Sequence, residues 1–246
     1  MNILMLSGSP KKKNSASNFF LNILKLFIVG HKVTTESLNS KKNTKRILEL
    51  FDTIDALILS VPLYVDGMPS NVLEFMVKAE QYCNEHNCKF KLYVISNNGF
   101  IEGTQNKPHI KMYECWCEKS EIDWGGGVGI GGGVMLKVLS IVYPIIIAVF
   151  SINLLINILS GNIITFDLIR PIVENIGIYL FLNCGVIYAM IKLSHHIVTQ
   201  KFLKNIFTRV MIPSFIFIPI ASLFMIITSL FKGKLIFTLL GKDNIS

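Results

Sequence analysis

Residues 7–17 combine hydroxyl side chains, a glycine and three consecutive lysines directly after a short apolar run. Hydroxyl groups, free backbone N–H groups and the positive end of a following helix together bind phosphate, and Lys11, Lys12 or Lys13 would neutralise the anion. The segment lacks the Gly-Lys-Ser/Thr ending of a Walker A loop, so a helix cap beside a solvated lysine turn stays the alternative. The residues that we assign to this anion site are Ser7, Gly8, Ser9, Lys11, Ser15 and Ser17.

A second stretch, 61–70, reads VPLYVDGMPS and places an aromatic side chain between a proline and a glycine. Tyr64 would lie against a planar ring, while backbone groups near Val65 and Gly67 would reach the edge of that ring. A rigid turn with Tyr64 half-buried is the alternative, and the residues alone leave both open.

The third stretch, 96–100, reads SNNGF. Its asparagine amides and the Gly99 N–H would bind the polar rim of a ring, and Phe100 would lie beside it; an Asn-Gly turn is the alternative. A phosphate loop together with two ring-contact loops predicts a flat, phosphorylated cofactor. We predict no catalytic side chain and no metal site.

These three loops each follow a predicted strand. Apolar and alternating patterns predict strands at 2–6, 31–38, 55–62, 90–97 and 122–132, and helices at 15–29, 43–54, 70–86 and 109–120. Strands that alternate with helices predict an α/β fold with a doubly wound parallel sheet. Ligands bind such sheets beyond the carboxyl ends of the strands, so one shared site is expected there.

The motifs GSPKKKNSAS, PLYVDGMPSNVLEFM, NNGFIEGTQNK and CWCEKSEIDWGGGVGIGGG occur in this order within residues 1–135. Together they resemble the NAD(P)H-dependent FMN reductases of the flavodoxin-like superfamily. The resemblance implies a five-stranded sheet in the order 2-1-3-4-5, FMN as cofactor and NAD(P)H as co-substrate. Carried over by position, it implies phosphate contacts by Ser9, Lys11, Ser15 and Ser17, and flavin contacts by Pro62, Leu63, Tyr64, Val65, Asn97, Asn98, Gly99 and Phe100.

Charge is distributed unevenly along the chain. Residues 1–137 hold 16 of the 24 basic residues and 13 of the 16 acidic ones. Residues 138–166 carry no charged side chain. An uncharged run of this length spans a bilayer core of about 30 Å. We therefore predict a flavodoxin-like domain at 1–135 and an all-α membrane region at 136–246, with helices at about 138–160, 172–193 and 210–231. A soluble protein with three buried apolar helices is the alternative.

Basic residues are concentrated at 192–209, whereas the 161–174 connection holds only Arg170. The positive-inside rule then places the first domain in the cytoplasm, with the first two helices crossing the cell membrane outward and back. A third span would put Lys232, Lys234 and Lys242 outside, so that segment is left open between a span and a re-entrant element. The first residues, MNILMLSG, do not read as a signal peptide, and five unevenly spaced cysteines fit a reducing compartment.

Two other patterns have plain interpretations. The run GVGIGG at 127–132 matches G-x-G-x-x-G, but it lacks a following acidic residue at the usual distance, so close packing is preferred to a second dinucleotide site. Cys83 and Cys117 are expected in the core, because the cysteine spacings match neither zinc nor iron–sulfur patterns.

The sequence thus predicts a membrane-attached flavoprotein oxidoreductase that passes electrons from NAD(P)H through FMN to an unidentified acceptor of the quinone or flavin class. Membrane lipid and a small-molecule acceptor are the expected partners, nucleic acid is not, and a homodimer is left open. The alternatives are an FMN electron carrier of the flavodoxin type that docks on partner proteins, and a membrane scaffold whose flavodoxin-like domain holds no cofactor.

Overall fold

All five predicted strands form one sheet. The computed structural model describes residues 1–11, 15–40, 43–64 and 67–231. Neighbouring strands are parallel, and the expected order 2-1-3-4-5 is confirmed, so the fold is flavodoxin-like. The strands are β1 (Asn2–Ser7), β2 (Lys32–Ser37), β3 (Ala56–Pro62), β4 (Lys91–Asn97) and β5 (Asp123–Gly131).

Four helices follow the first four strands: α1 (Ala16–Phe27), α2 (Thr44–Glu49), α3 (Ser70–His86) and α4 (Lys107–Lys119). Successive residues of a strand face opposite sides of the sheet, so each face has its own core. On one face, Leu57, Leu59 and Val61 join the apolar cluster beneath α2, α3 and α4. Helix α1 packs against β1, β3 and β4, and Phe20 and Leu24 are fully buried there.

Beside α1, the second face is covered by part of an apolar helix from the predicted membrane region. The chain continues into α5 (Gly133–Leu159) and α6 (Phe166–Val198), and α6 contacts both α1 and β5. The side chains of Val186, Ala189, Met190 and Leu193 are buried in this contact. The second half of α6 therefore covers this face of the sheet, and the sequence did not predict this contact.

A sixth strand, β6 (Ile206–Arg209), pairs parallel with β5 at the sheet edge. The sequence did not predict it, because four half-buried residues within a basic stretch carry almost no strand pattern. Its approach depends on Gly126, whose φ of +115° is unusual for other residues and whose Cβ would lie 2.1 Å from the Leu203 carbonyl oxygen. The division at residue 135 stays a prediction, but residues on both sides of it build the sheet.

Residues 138–181 form what we term the apolar hairpin. Helices α5 and α6 contact each other along this stretch, and the rings of Tyr143 and Tyr179 lie 5.5 Å apart. Most of its large apolar side chains are exposed. Within the described residues, α5 and α6 are long and apolar enough to cross a membrane by length and composition. The part of α5 within the hairpin, 138–159, has 22 residues, which extend about 33 Å as an α-helix.

The apolar hairpin projects from the carboxyl edge of the sheet. Helix α5 begins directly after β5 ends. On the returning helix, the Leu182 carbonyl accepts a hydrogen bond from the Met211 N–H at 3.0 Å, just after β6 ends. Both connections therefore lie at the edge where the three predicted ligand loops also emerge.

The chain after Met211 forms a second unit. It contains α7 (Ser214–Phe231), an apolar helix with Pro219 inside it. Whether this third segment spans a membrane stays a prediction.

Candidate functional site

The loops after β1, β3 and β4 meet at one cavity. This follows from the parallel sheet, which places the carboxyl ends of neighbouring strands together. The predicted residues that line the cavity are Ser9, Lys11, Ser15, Ser17, Pro62, Leu63, Tyr64, Asn97, Asn98 and Gly99.

Three serines supply hydroxyl groups to this cavity, and all three are buried. Ser15 is the N-cap of α1, where its Oγ accepts the Asn18 N–H at 3.1 Å. The Ser9 Oγ accepts the Lys11 N–H at 3.3 Å, and the Ser17 Oγ accepts from the Asn97 amide at 3.4 Å. In each bond the oxygen is the acceptor, so each O–H can still donate to an anion.

Asn97 connects the loops after β3 and β4, and Asn98 bonds within the second of these loops. Asn97 Nδ2 donates to the Val61 carbonyl at 3.1 Å, and the Asn97 carbonyl accepts the Leu63 N–H at 2.8 Å. Asn98 Nδ2 donates to the Glu102 carbonyl at 3.3 Å. The buried Asn98 Oδ1 has no hydrogen-bond partner within the described residues, and such an oxygen is costly to leave unpaired. It fits a ligand that brings an N–H group.

The aromatic residues differ in placement. Tyr64 lines the cavity and is 44% exposed, and its backbone exchanges two hydrogen bonds with Gly67 at 3.2 and 3.0 Å. Gly67 is thus bonded to the backbone of Tyr64 and does not line the cavity. Phe100 is 60% exposed and also lies off the lining. Val65 lies outside the described residues.

Gly8 has a packing role that the sequence did not reveal. A Cβ at this position would lie 2.7 Å from the Val72 side chain and 3.2 Å from that of Val61, and the Gly8 N–H donates to the Ser60 carbonyl at 2.8 Å. Ser7, which precedes it, is buried and does not line the cavity. The phosphate contacts assigned to both residues stay predictions.

Helix α5 contributes two lining residues that the sequence did not indicate, Val134 and Lys137. The Gly133 N–H donates to the Asn98 carbonyl at 2.9 Å, which holds the start of α5 at the loop after β4. One sequence feature could have indicated Lys137 as a site residue: it is the only basic residue within 120–169.

A buried polar network supports the loop after β4. The Ser96 hydroxyl donates to Asn106 Oδ1 at 2.7 Å, so the His109 Nδ1–H must donate to Ser96 Oγ, also at 2.7 Å. His109 Nε2 then accepts the Tyr113 hydroxyl at 3.1 Å. Burial lowers the pKa of His109 to about 4, so the ring is neutral at neutral pH. The network was not predicted, since its members are spread over 18 residues without a recognised motif.

The glycines of 127–132 serve close packing, as preferred from the sequence. A Cβ at Gly129 would lie 2.6 Å from the Phe207 ring of β6, and one at Gly131 would lie 2.2 Å from the Ile101 carbonyl oxygen. Next to this contact, Arg209 of β6 forms an ion pair with Glu102 of the loop after β4. The absence of side chains at these glycines therefore allows the loop after β4 and strand β6 to pack closely against β5. Cys83 and Cys117 lie in the core as expected.

A larger cleft of about 610 Å³ lies at the opposite edge, beside the starts of the strands, compared with about 130 Å³ for the cavity at the carboxyl edge. Its lining mixes Asp55, Lys91 and Asp123, and the Lys91 ammonium is already bonded to the Gln200 carbonyl at 2.9 Å. Volume does not decide between the two. The smaller cavity is the candidate site because hydroxyl, ammonium and amide groups converge on it.

No family model and no curated protein matches this chain. Solved structures resemble about half of it. A Trp repressor binding protein from Bacillus subtilis is 16% identical over 53% of this chain and 84% of its own, with a TM-score of 0.41. An NAD(P)H:quinone oxidoreductase from Methanothermobacter marburgensis is 16% identical over 54% and 84%, with a TM-score of 0.46.

An NADPH-quinone reductase from P. pentosaceus is 13% identical over 53% of this chain and 84% of its own, with a TM-score of 0.41. At such identities and scores the similarity carries no argument about what this chain binds or converts.

Proposed function

We propose that this protein is a membrane-attached flavoprotein oxidoreductase that uses FMN to pass electrons from NAD(P)H to a small-molecule acceptor. One observation supports the proposal: the loops after β1, β3 and β4 bring hydroxyl, ammonium, amide and aromatic groups to the same cavity. Scattered loops, or a gap already filled by side chains, would have removed the basis for it.

The residues of the cavity suit FMN. A phosphate ester needs donors and positive charge, which the hydroxyls of Ser9 and Ser15 and the ammonium of Lys11 provide. The flavin ring carries an N–H donor at its polar rim, and the buried Asn98 Oδ1 is an acceptor without a partner in the described structure. Tyr64 offers an aromatic face that is 44% exposed.

The chain's part in the proposed reaction is binding and orientation. When bound, FMN supplies hydride acceptance and electron transfer. The serines and Lys11 would hold the phosphate, while Pro62, Leu63 and Tyr64 would flank the ring and exclude water from one side of it. No described side chain is required as an acid or a base.

The apolar hairpin supports membrane attachment. Its exposed apolar side chains suit lipid, and the hairpin leaves the sheet at the edge that also holds the cavity. An acceptor dissolved in the membrane would then reach the site from the edge where the hairpin enters the bilayer. The basic residues concentrated at 192–209 favour a cytoplasmic position for the α/β domain.

The test is an anaerobic absorbance experiment on the full chain, purified in detergent and loaded with FMN. NADH or NADPH should bleach the visible flavin band, and a short-chain quinone should restore it. A bound flavin that neither nucleotide reduces would contradict a reductase and favour the electron carrier.

A further inference from the structure

The start of α5 brings a second ammonium group to the cavity. Lys137 lines it together with Lys11, and burial together with the positive charge of Lys11 lowers the pKa of the Lys137 ammonium. Within the described residues, neither lysine has an acidic partner. Among the described residues, the lining of the cavity therefore includes two ammonium groups and no carboxylate.

Lys137 is held at this place by the backbone around it. The Gly133 N–H is bonded to the Asn98 carbonyl at 2.9 Å, and the Leu136 N–H to the Gly132 carbonyl at 2.9 Å. Leu136 is fully buried. The residue after it, Lys137, therefore starts from an anchored helical turn beside the cavity.

Neighbouring groups complete an anion site. The hydroxyls of Ser9 and Ser15 lie on the same lining as the two lysines. Two like charges held together by a fold favour an anion between them, because the anion replaces repulsion by two attractions. Asn98 lines the same cavity, and its buried Oδ1 has no hydrogen-bond partner among the described residues.

We propose that Lys137 binds the phosphate group of the ligand together with Lys11. The inference rests on the proposed function, because it takes FMN as the ligand. It assigns part of the cofactor site to the first turn of the helix that enters the apolar hairpin. Binding of the phosphate then ties the hairpin's base to the loop after β1.

The experiment compares FMN with riboflavin, which has the same ring but no phosphate. Both are titrated by fluorescence into the full chain in a neutral detergent, as wild type, Lys137→Gln, Lys137→Arg and Lys25→Gln. Lys25 is an exposed lysine in the last turn of α1, so its variant removes the same charge at a distance from the cavity.

Lys137→Gln should weaken FMN binding at least about tenfold, the size of one lost charge-assisted hydrogen bond. Riboflavin affinity should stay within about twofold, Lys137→Arg should restore most of the FMN affinity, and Lys25→Gln should match wild type. Circular dichroism on each variant checks that the fold is retained.

Equal FMN affinities for wild type and Lys137→Gln would overturn the inference while leaving the proposed function standing. The same result is expected if Lys137 binds a lipid phosphate and not FMN. Weaker binding of phosphatidylglycerol to Lys137→Gln than to wild type would identify this case. A wild-type chain that binds neither flavin would overturn both proposals.

Discussion

The Tyr93 hydroxyl of the central strand β4 lies 2.9 Å from the carbonyl oxygen of His196 in the last turn of α6. The same hydroxyl lies 3.0 Å from the carbonyl oxygen of Lys201. Tyr93 is fully buried, and its ring occupies the space that a Cβ at Gly125 would need. The end of an apolar helix is thus bonded to the middle of the sheet.

Tyr93→Phe should destabilise the protein by about 1 kcal/mol, because the one buried hydroxyl proton shared by the two carbonyl oxygens is lost. For a chain of this size the melting temperature should fall by about 2–4 °C, measured by thermal unfolding in detergent. Tyr188→Phe is the control, since Tyr188 is 57% exposed on α6. Equal melting temperatures for both variants would contradict the role of Tyr93.

His109 should make the protein sensitive to acid. Its pKa is lowered from 6.5 to about 4 in the fold, so the unfolded chain takes up the proton first as pH falls. The stability that this neutral ring contributes is complete above pH 6.5 and is lost as pH falls to about 4. The full loss is about 3 kcal/mol.

His109→Gln should therefore lose less melting temperature than wild type between pH 7.5 and 4.5. His86→Gln, at an exposed position in the last turn of α3, should follow the wild-type curve. If the His109 variant follows it too, the neutral buried ring is not the cause of acid sensitivity.

Two substitutions at Ser15 distinguish its role in helix capping from its proposed role in anion binding. Ser15→Ala removes the cap of α1 and should cost about 1 kcal/mol of stability. Ser15→Asp keeps a capping oxygen for the Asn18 N–H but adds a negative charge to the cavity. It should keep near wild-type stability and weaken FMN binding at least about tenfold, measured by fluorescence titration. Unchanged FMN affinity in Ser15→Asp would mean that Ser15 caps α1 and does not contribute to anion binding.

The membrane topology can be read with a membrane-impermeant maleimide. Ser160→Cys, in the connection between α5 and α6, should be labelled from outside intact cells. Cys115, exposed on α4, should be labelled only after the cells are permeabilised. Labelling of Cys115 in intact cells would contradict a cytoplasmic α/β domain.

Local patterns predicted most of the sheet and the convergence of its loops. The strands β1, β3 and β4 are short apolar runs that end at turn residues, so the position of Tyr64 and Asn97 at one edge followed from the parallel arrangement, whereas the strand order came from the family resemblance. The same patterns could not show which glycine serves a ligand. Gly8 is required by the Val72 side chain, which approaches from another element.

Three features depended on long-range packing and left little trace in the sequence. The apolar pattern of α6 is the same whether lipid or the sheet covers it, so the burial of its second half was not foreseen. Strand β6 is too short for its own pattern. Lys137 reaches the cavity only because α5 starts at the loop after β4, which the chain order alone does not reveal.

The central claim is that this cavity binds a phosphorylated flavin, and equilibrium titration of the purified full chain with FMN tests it most directly. We predict saturable quenching of flavin fluorescence at one FMN per chain, with weaker binding of riboflavin and of Ser15→Asp. A folded protein that leaves FMN fluorescence unchanged at every concentration tested would contradict the claim.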